Sequence, residues 1–175
     1  MSHLLGRIGT VTAHDFDRTI DQLARTQRGL VSRRQALDRG GTKGLITDRL
    51  ESRRWLRLDD AVYALAGHPS TWEQRVLGAT LGERTAMASG TASSALHRFA
   101  GFPRSRPEIQ VPPGNHHVSR LAKVRRSALA DPVVVDGIPT NSAALTLFEI
   151  AGRFPTSSNR RSSRRCAARR RPWRS

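Results

Sequence analysis

The stretch LVSRRQALDRGGTKGLITDRLESRR, Leu30 to Arg54, decides how the chain is read. Leu30 and Val31 form a short extended piece, and Ser32 is followed three residues later by Gln35, the spacing of a capping box. A short helix of about Arg33 to Arg39 then runs into Gly40 and Gly41, which end it. Thr42 caps another helix, KGLITDRLESRR, whose Leu45, Ile46 and Leu50 return to one side. Two short helices joined by a tight glycine turn are therefore expected.

Upstream, DFDRTIDQLARTQRG places Phe16, Ile20, Leu23 and Ala24 on one apolar helical stripe, with Asp15 as the expected N-cap and Gly29 as the stop. Downstream, WLRLDDAVYALAG gives two β-prone runs, Trp55 to Leu58 and Ala61 to Leu65, with Asp59 and Asp60 in turn position. In such a hairpin Tyr63 is the aromatic that covers the three helices. Helix, extended piece, capped helix, glycine turn, helix and hairpin is the order of a winged helix-turn-helix, here expected over residues 16–66.

From Ser70 the style changes. STWEQRVLGATLG reads as a helix capped by Ser70 or Thr71, with Trp72, Val76, Leu77 and Leu81 inward and Gly82 at its end. TASSALHRFAGF is a second short helix, and the link PRSRP follows. PEIQVPP, LAKVRRSAL and PVVVDGIPT are strand-like, the last with Asp136 and Gly137 as a hairpin turn, before a final helix, NSAALTLFEIAG. These define a small α/β unit over 70–152 and an α+β class for the whole. Residues 153–175 are low in complexity and rich in Arg, and a disordered basic tail is expected there.

The net charge of +16 points to a polyanionic partner, but the tail holds nine Arg and no acid, so residues 1–152 carry +7 from 21 basic and 14 acidic side chains. A single cysteine, Cys166, can neither close an internal disulfide nor build a zinc cluster, which favours a reducing compartment, by default the cytoplasm. The absence of a run of about 18 apolar residues, and of a signal-like opening in MSHLLGRIG, argues against a membrane span and a signal peptide.

With these elements in place, ALDRGGTKGLITDRLESRRWLRLDDAVYALAGHPSTWEQRVLGA resembles the start of the AbiEi-type antitoxins of actinobacteria. The matching features are the Gly29 to Val31 segment, the capped helix of Ser32 to Arg39, the recognition helix of Lys43 to Ser52, the wing ending in Val62 to Ala64, and Trp72. The likeness continues through TASSALHRFAGFP, EIQVPPG and VVVDGIPTNSAALTLFEIA, so it covers about residues 16–152. It implies a DNA-binding transcriptional regulator, the antitoxin of a type IV toxin-antitoxin pair, that represses its own operon and counteracts a nucleotidyltransferase-like toxin. Many longer relatives continue into a domain similar to Vsr-type endonucleases. The chain departs from that pattern in three places. Arg53 stands where a glycine ends the recognition helix, and Asp59, Asp60 and Ala61 replace a more basic, glycine-containing wing tip. After Phe154 the likeness stops, and the switch to Arg, Ser, Ala and Pro is what an out-of-frame reading of GC-rich DNA gives.

A recognition helix meets base edges with its first turn. That puts Lys43 and Thr47 at the major groove of a double-stranded operator, with Gly44, Asp48 and Glu51 also turned away from the core. Arg33 and Arg34, helped by unpaired amides of their helix, and Arg54 and Arg57 at the start of the wing, are the expected phosphate contacts. The reading needs no cofactor and no catalytic residue. Its partners are promoter DNA and, through the resemblance, a cognate toxin. The rival readings are the recognition half of a Vsr-like endonuclease and a non-specific nucleic-acid binder driven by the tail. His116 and His117 lack a third ligand in the local sequence, Glu108 lacks the companions of a nuclease strand, and Ser89, Ser93 and His97 read as a capping serine and an ordinary surface histidine rather than a hydrolase triad.

Overall fold

Residues 12–153 are described by a computed structural model, in which six helices and eight short strands make two sheets. The expected tail thus lies outside the described residues except for Arg153, which is the last residue of a helix and pairs with Glu108.

The first helix, α1 (Ala13–Thr26), starts earlier than its apolar stripe implies. Thr12, not Asp15, is the N-cap: its hydroxyl oxygen accepts the Asp15 amide at 3.1 Å, and its hydroxyl donates to the Asp15 carboxylate at 2.7 Å. Asp15 sits in the first turn, where a negative charge also suits the helix dipole. Phe16, Ile20 and Ala24 are fully buried along the inner face. The helix unwinds through Arg28 and Gly29, both at positive φ, and the Gly29 amide returns to the Ala24 carbonyl at 2.7 Å.

Next come β1 (Leu30–Ser32), α2 (Arg33–Asp38), α3 (Lys43–Glu51), β2 (Trp55–Asp59) and β3 (Val62–Leu65). Both bonds of the capping box are present: the Ser32 amide donates to Gln35 Oε1 at 2.9 Å, and the Gln35 amide to Ser32 Oγ at 3.2 Å. Between α2 and α3, a side chain at Gly41 would stand 2.6 Å from the Phe16 ring and 2.7 Å from the Ala36 carbonyl oxygen, so only glycine lets α1 come this close. Thr42 caps α3 through the Leu45 amide at 3.1 Å. The helix stops at Glu51, short of the expected Arg54, because Arg53 takes a left-handed φ of 55°.

The three strands pair antiparallel in the order β1-β3-β2, with Leu30 opposite Ala64 and Trp55 opposite Leu65. Alternation sends Val31, Tyr63, Leu65 and Trp55 to the helices α1 to α3, where they join Phe16, Ile20, Ala24 and Ile46 in one core. Tyr63 covers the helices as expected, and its ring stacks on Trp55 with centroids 5.7 Å apart. The opposite face of the same sheet is not left to water. Leu30, Val62 and Ala64 pack on Val76 and Leu77 of the next helix, in a core that extends to Ala88, Ala92, Leu96 and Ile138.

That helix is α4 (Trp72–Leu81), capped by Thr71 and closed at Gly82. Then follow β4 (Met87–Ala88), α5 (Gly90–Leu96), β5 (Glu108–Val111), β6 (Lys123–Arg126), β7 (Pro132–Val135), β8 (Ile138–Asn141) and α6 (Ala143–Arg153). The second sheet runs β6-β5-β4-β8-β7, with β4 antiparallel to β5 and parallel to β8. Its central strand, β4, has only two residues, too few to leave a period-two signature in the sequence. Asp136 and Gly137, at φ 50° and 79°, make the tight turn between β7 and β8 that the Asp-Gly pair demands.

Candidate nucleic-acid interface

The amphipathic spacing of α3 carries directly into its exposure. Ile46 is buried and Leu45 and Leu50 half-buried, while Lys43, Gly44, Thr47, Asp48 and Glu51 are exposed. Lys43, Thr47 and Glu51 follow one another at i, i+4 and i+8 along one stripe, so the basic and hydroxyl groups occupy the first turns and the acid the last. Gly44 has no packing reason to be glycine: a side chain there would meet nothing nearer than Thr42 Oγ1 at 3.8 Å.

Four cations on α3 and on the elements in contact with it, α2 and β2, have no acidic partner among the described residues. Lys43, Arg33, Arg34 and Arg57 take part in none of the ion pairs found there. The Arg57 guanidinium lies 5.9 Å from the centre of the Tyr63 ring, and this cation–π contact holds it over the outer rim of the aromatic core. Arg34 is exposed and Arg33 half-buried at the start of α2. Two amides of that start are not the free donors expected from the sequence. The Arg33 N–H donates to the Ala61 carbonyl at 2.8 Å and the Gln35 N–H is consumed by the capping box.

Arg54 is placed otherwise. Its guanidinium is 3.0 Å from Asp17 Oδ2, and the same carboxylate receives two hydrogen bonds from Arg49, at 2.9 and 3.0 Å. Burial pushes the Asp17 carboxyl up, but the hydrogen bonds and charge of Arg49, with those of Arg54, outweigh it and hold the group below its ordinary value. The same pairing raises Arg49. Arg54 therefore ties the end of α3 to α1 instead of standing clear beside Arg57.

The hairpin tip departs further from the expected wing. Asp59 is only 3% exposed. Its carboxylate accepts the Ser119 hydroxyl and, at 3.4 Å, the Arg120 amide, and the neighbouring Asp60 pairs with the Arg120 side chain at 3.2 Å. The acids at the tip thus face the loop before β6, sixty residues away. Asp59 is buried and hydrogen-bonded and Asp60 is offset by an exposed ion pair, which removes part of the repulsion an acidic tip would offer to a phosphate backbone.

The remaining polar groups singled out in the sequence have structural places. Ser89, Ser93 and His97 are not on the surface. Ser89 stands at the cap position of α5 but its hydroxyl makes no cap bond and is buried without a partner. Ser93 is fully buried and hydrogen-bonds Thr140 and Thr146, at 2.8 and 2.6 Å, while His97 Nε2 lies 2.8 Å from the Asn141 carbonyl oxygen. Asn141 in turn exchanges amide bonds with Gln110. This polar layer fastens α5 and α6 to the second sheet, and it offers no nucleophile on an open turn. Glu108 is engaged by Arg153 and Lys123. His116 and His117 line a small cavity with Asp59 and Asp60, yet no group of three or more His, Cys, Asp or Glu among the described residues is arranged to hold a metal ion. Nor is any described helix long and apolar enough to cross a membrane.

No family model matches the chain, and no curated protein matches it. Among solved structures it is similar to the RV2827C protein from Mycobacterium tuberculosis, at 16% identity and a TM-score of 0.43, over 65% of this chain and 45% of that one. The chain therefore spans less than half the length of that neighbour.

Proposed function

We propose that the chain is a sequence-selective, double-stranded DNA-binding regulator in which residues 16–66 act as a winged helix-turn-helix with α3 as the recognition helix. The observation that carries this reading is the set of cations around α3 that the fold leaves unpaired. Among the described residues, Arg18, Arg49, Arg54, Arg104, Arg120, Arg125 and Arg153 are drawn to acids, Arg49 from α3 itself. Lys43, Arg33, Arg34 and Arg57 are not, and they border an exposed helix whose first turns carry a lysine, a glycine and a threonine. Lys43 and Thr47 are assigned to base edges, and Arg33, Arg34 and Arg57 to phosphates. Gly44 lowers the intrinsic stability of α3 by about 0.5–1 kcal/mol relative to alanine, and nothing in the packing asks for it. A bare backbone there suits close approach of the duplex.

In this reading the protein is an antitoxin of the AbiEi type that represses its own operon, and its second sheet and helices are available to a cognate toxin. No cofactor takes part and no reaction is catalysed.

The test is a titration of a labelled promoter fragment and a scrambled duplex. Lys43→Ala with Thr47→Ala narrows the gap between the two duplexes by about 1–3 kcal/mol for each good pairing with a base that the change removes. Arg33→Ala with Arg34→Ala weakens both equally and lowers the salt dependence. Gly44→Ala raises the unfolding midpoint and weakens binding, a combination that damage to the fold cannot produce. If none of the three alters affinity for the promoter, α3 does not read DNA.

A further inference from the structure

A groove of about 830 Å³ opens between α4, the link before β5 and the loop before β6, with Leu58 of β2 as one wall. Four guanidiniums line it: Arg75 from α4, Arg104 and Arg106 from the link, and Arg120 from the loop. Two are answered, Arg104 by Glu73 at 2.9 Å and Arg120 by Asp60 at 3.2 Å. Arg75 and Arg106 have no ion-pair partner among the described residues, so the groove holds an excess of two positive charges. Arg75 is placed by α4, and the link that carries Arg106 is tied to the start of the same helix. The Trp72 indole donates to the Ser105 carbonyl at 2.7 Å, and the Arg104 guanidinium lies 5.7 Å from the centre of the Trp72 ring.

We infer that this groove is a second binding site for the phosphodiester backbone of the duplex read by α3. The chemistry of the lining selects an anion with several charged oxygens, since planar, always-charged guanidiniums match phosphate in pairs. The position selects the same duplex. β2 is the outer strand of its sheet and its outer edge is unpaired. Arg57 stands on one side of that edge, over Tyr63, and Leu58, the next residue, turns to the other side and lines the groove. A duplex that passes along the edge meets Arg57 first and the groove beyond it. At the hairpin tip Arg120 offsets the charge of Asp60, and the contact that a free wing tip supplies is assigned to Arg75 and Arg106.

The inference rests on the α3 reading, and one experiment separates the two. The full chain is titrated with labelled promoter and scrambled duplexes over a series of salt concentrations, as wild type, as Arg75→Ala with Arg106→Ala, and as Lys43→Ala with Thr47→Ala. The groove variant is expected to bind both duplexes about tenfold more weakly, to keep its selectivity, and to lose about 1.8 from the slope of log K against log salt, about 0.9 for each phosphate released. Arg75→Lys with Arg106→Lys keeps the slope, which ties the effect to charge. Both arginines are exposed, so the unfolding midpoint of each variant is expected to match the wild type, and this is measured first. An unchanged slope and affinity in the alanine variant, with selectivity still lost in the α3 variant, overturns the groove and leaves the recognition helix standing. A lowered slope with a silent α3 variant keeps the groove as a nucleic-acid surface and overturns the recognition helix.

Discussion

Two hairpins with two-residue turns lie among the described residues, and they are held by different physics. In the second, β7-β8, the turn is Asp136-Gly137, whose residues adopt positive φ at little cost, and the strands follow from the turn. Its outer strand is open to solvent, with Val134 70% exposed. In the first, β2-β3, the turn is Asp60-Ala61, neither residue is at positive φ, and the register slips by one residue between Arg57 and Asp59. Locally this turn has one support, the Asp60 amide donating to Asp59 Oδ1 at 3.0 Å. It is held from outside, by Ser119 and Arg120 on the aspartates and by the Arg33 amide on the Ala61 carbonyl, and every residue of β3 is buried. A hairpin stabilised by its turn tolerates changes in its strands. One stabilised by its surroundings does not.

The largest effect is therefore expected at the centre of the first hairpin. Tyr63→Ala removes a fully buried ring that stacks on Trp55, and denaturant unfolding should show a loss of about 3–5 kcal/mol. Val134→Ala in the second hairpin should stay within about 0.5 kcal/mol of wild type. Tyr63→Phe sharpens the point: the Tyr63 hydroxyl is buried without a partner, so its removal should leave stability unchanged or raise it.

The tip contact comes next. Asp59→Ala strands the Ser119 hydroxyl and the Arg120 amide, at a cost of about 2–3 kcal/mol in the same assay. A double-mutant cycle with Ser119→Ala should return a coupling of about 1 kcal/mol, and a coupling of zero would show that the tip is not clamped.

The entry to the first hairpin adds a pH dependence. Because the Asp17 carboxyl is held below its ordinary value in the folded protein, its contribution is complete above the ordinary aspartate range. It is lost as the pH falls through the depressed value. Thermal unfolding followed from about pH 6 downward should therefore show a shallower acid decline in Asp17→Asn than in wild type. Within the second hairpin the turn is expected to matter more than the strand: Gly137→Ala must hold a side chain at φ 79° and should lose about 1 kcal/mol or more, against the near-neutral Val134→Ala.

The same contrast explains what the sequence made legible. Features that close within three or four residues were readable: the Ser32 and Gln35 box, the Thr42 and Thr71 caps, the Asp136-Gly137 turn and the buried stripe of α1. The exposure of Gly44, Thr47, Asp48 and Glu51 on α3 followed from helical periodicity, whereas that of Lys43 did not. Features that close over long separations were not. Asp59 looks like a turn residue until Ser119 is beside it, and Arg54 looks free until α1 brings Asp17 to it. His97 looks like a surface group because its partner, Asn141, lies more than forty residues away, and the Thr140 and Thr146 partners of Ser93 are as distant. The arginine groove shares this property, since its four guanidiniums come from three separate segments. Asp15 failed for a smaller reason: a threonine three residues earlier could take the cap and leave the aspartate in the first turn.

The double burial of the first sheet bears on how the protein can be cut. Ala66 to Ser70 form an exposed connection that a protease can reach. Yet a fragment ending at Ala66 would present Leu30, Val62 and Ala64 to water, the row that normally rests on Val76 and Leu77. The surface proposed to read DNA is for that reason not a transferable cassette: grafted alone onto another protein it would carry a sticky underside, and a nicked chain would hold together as two interlocked halves.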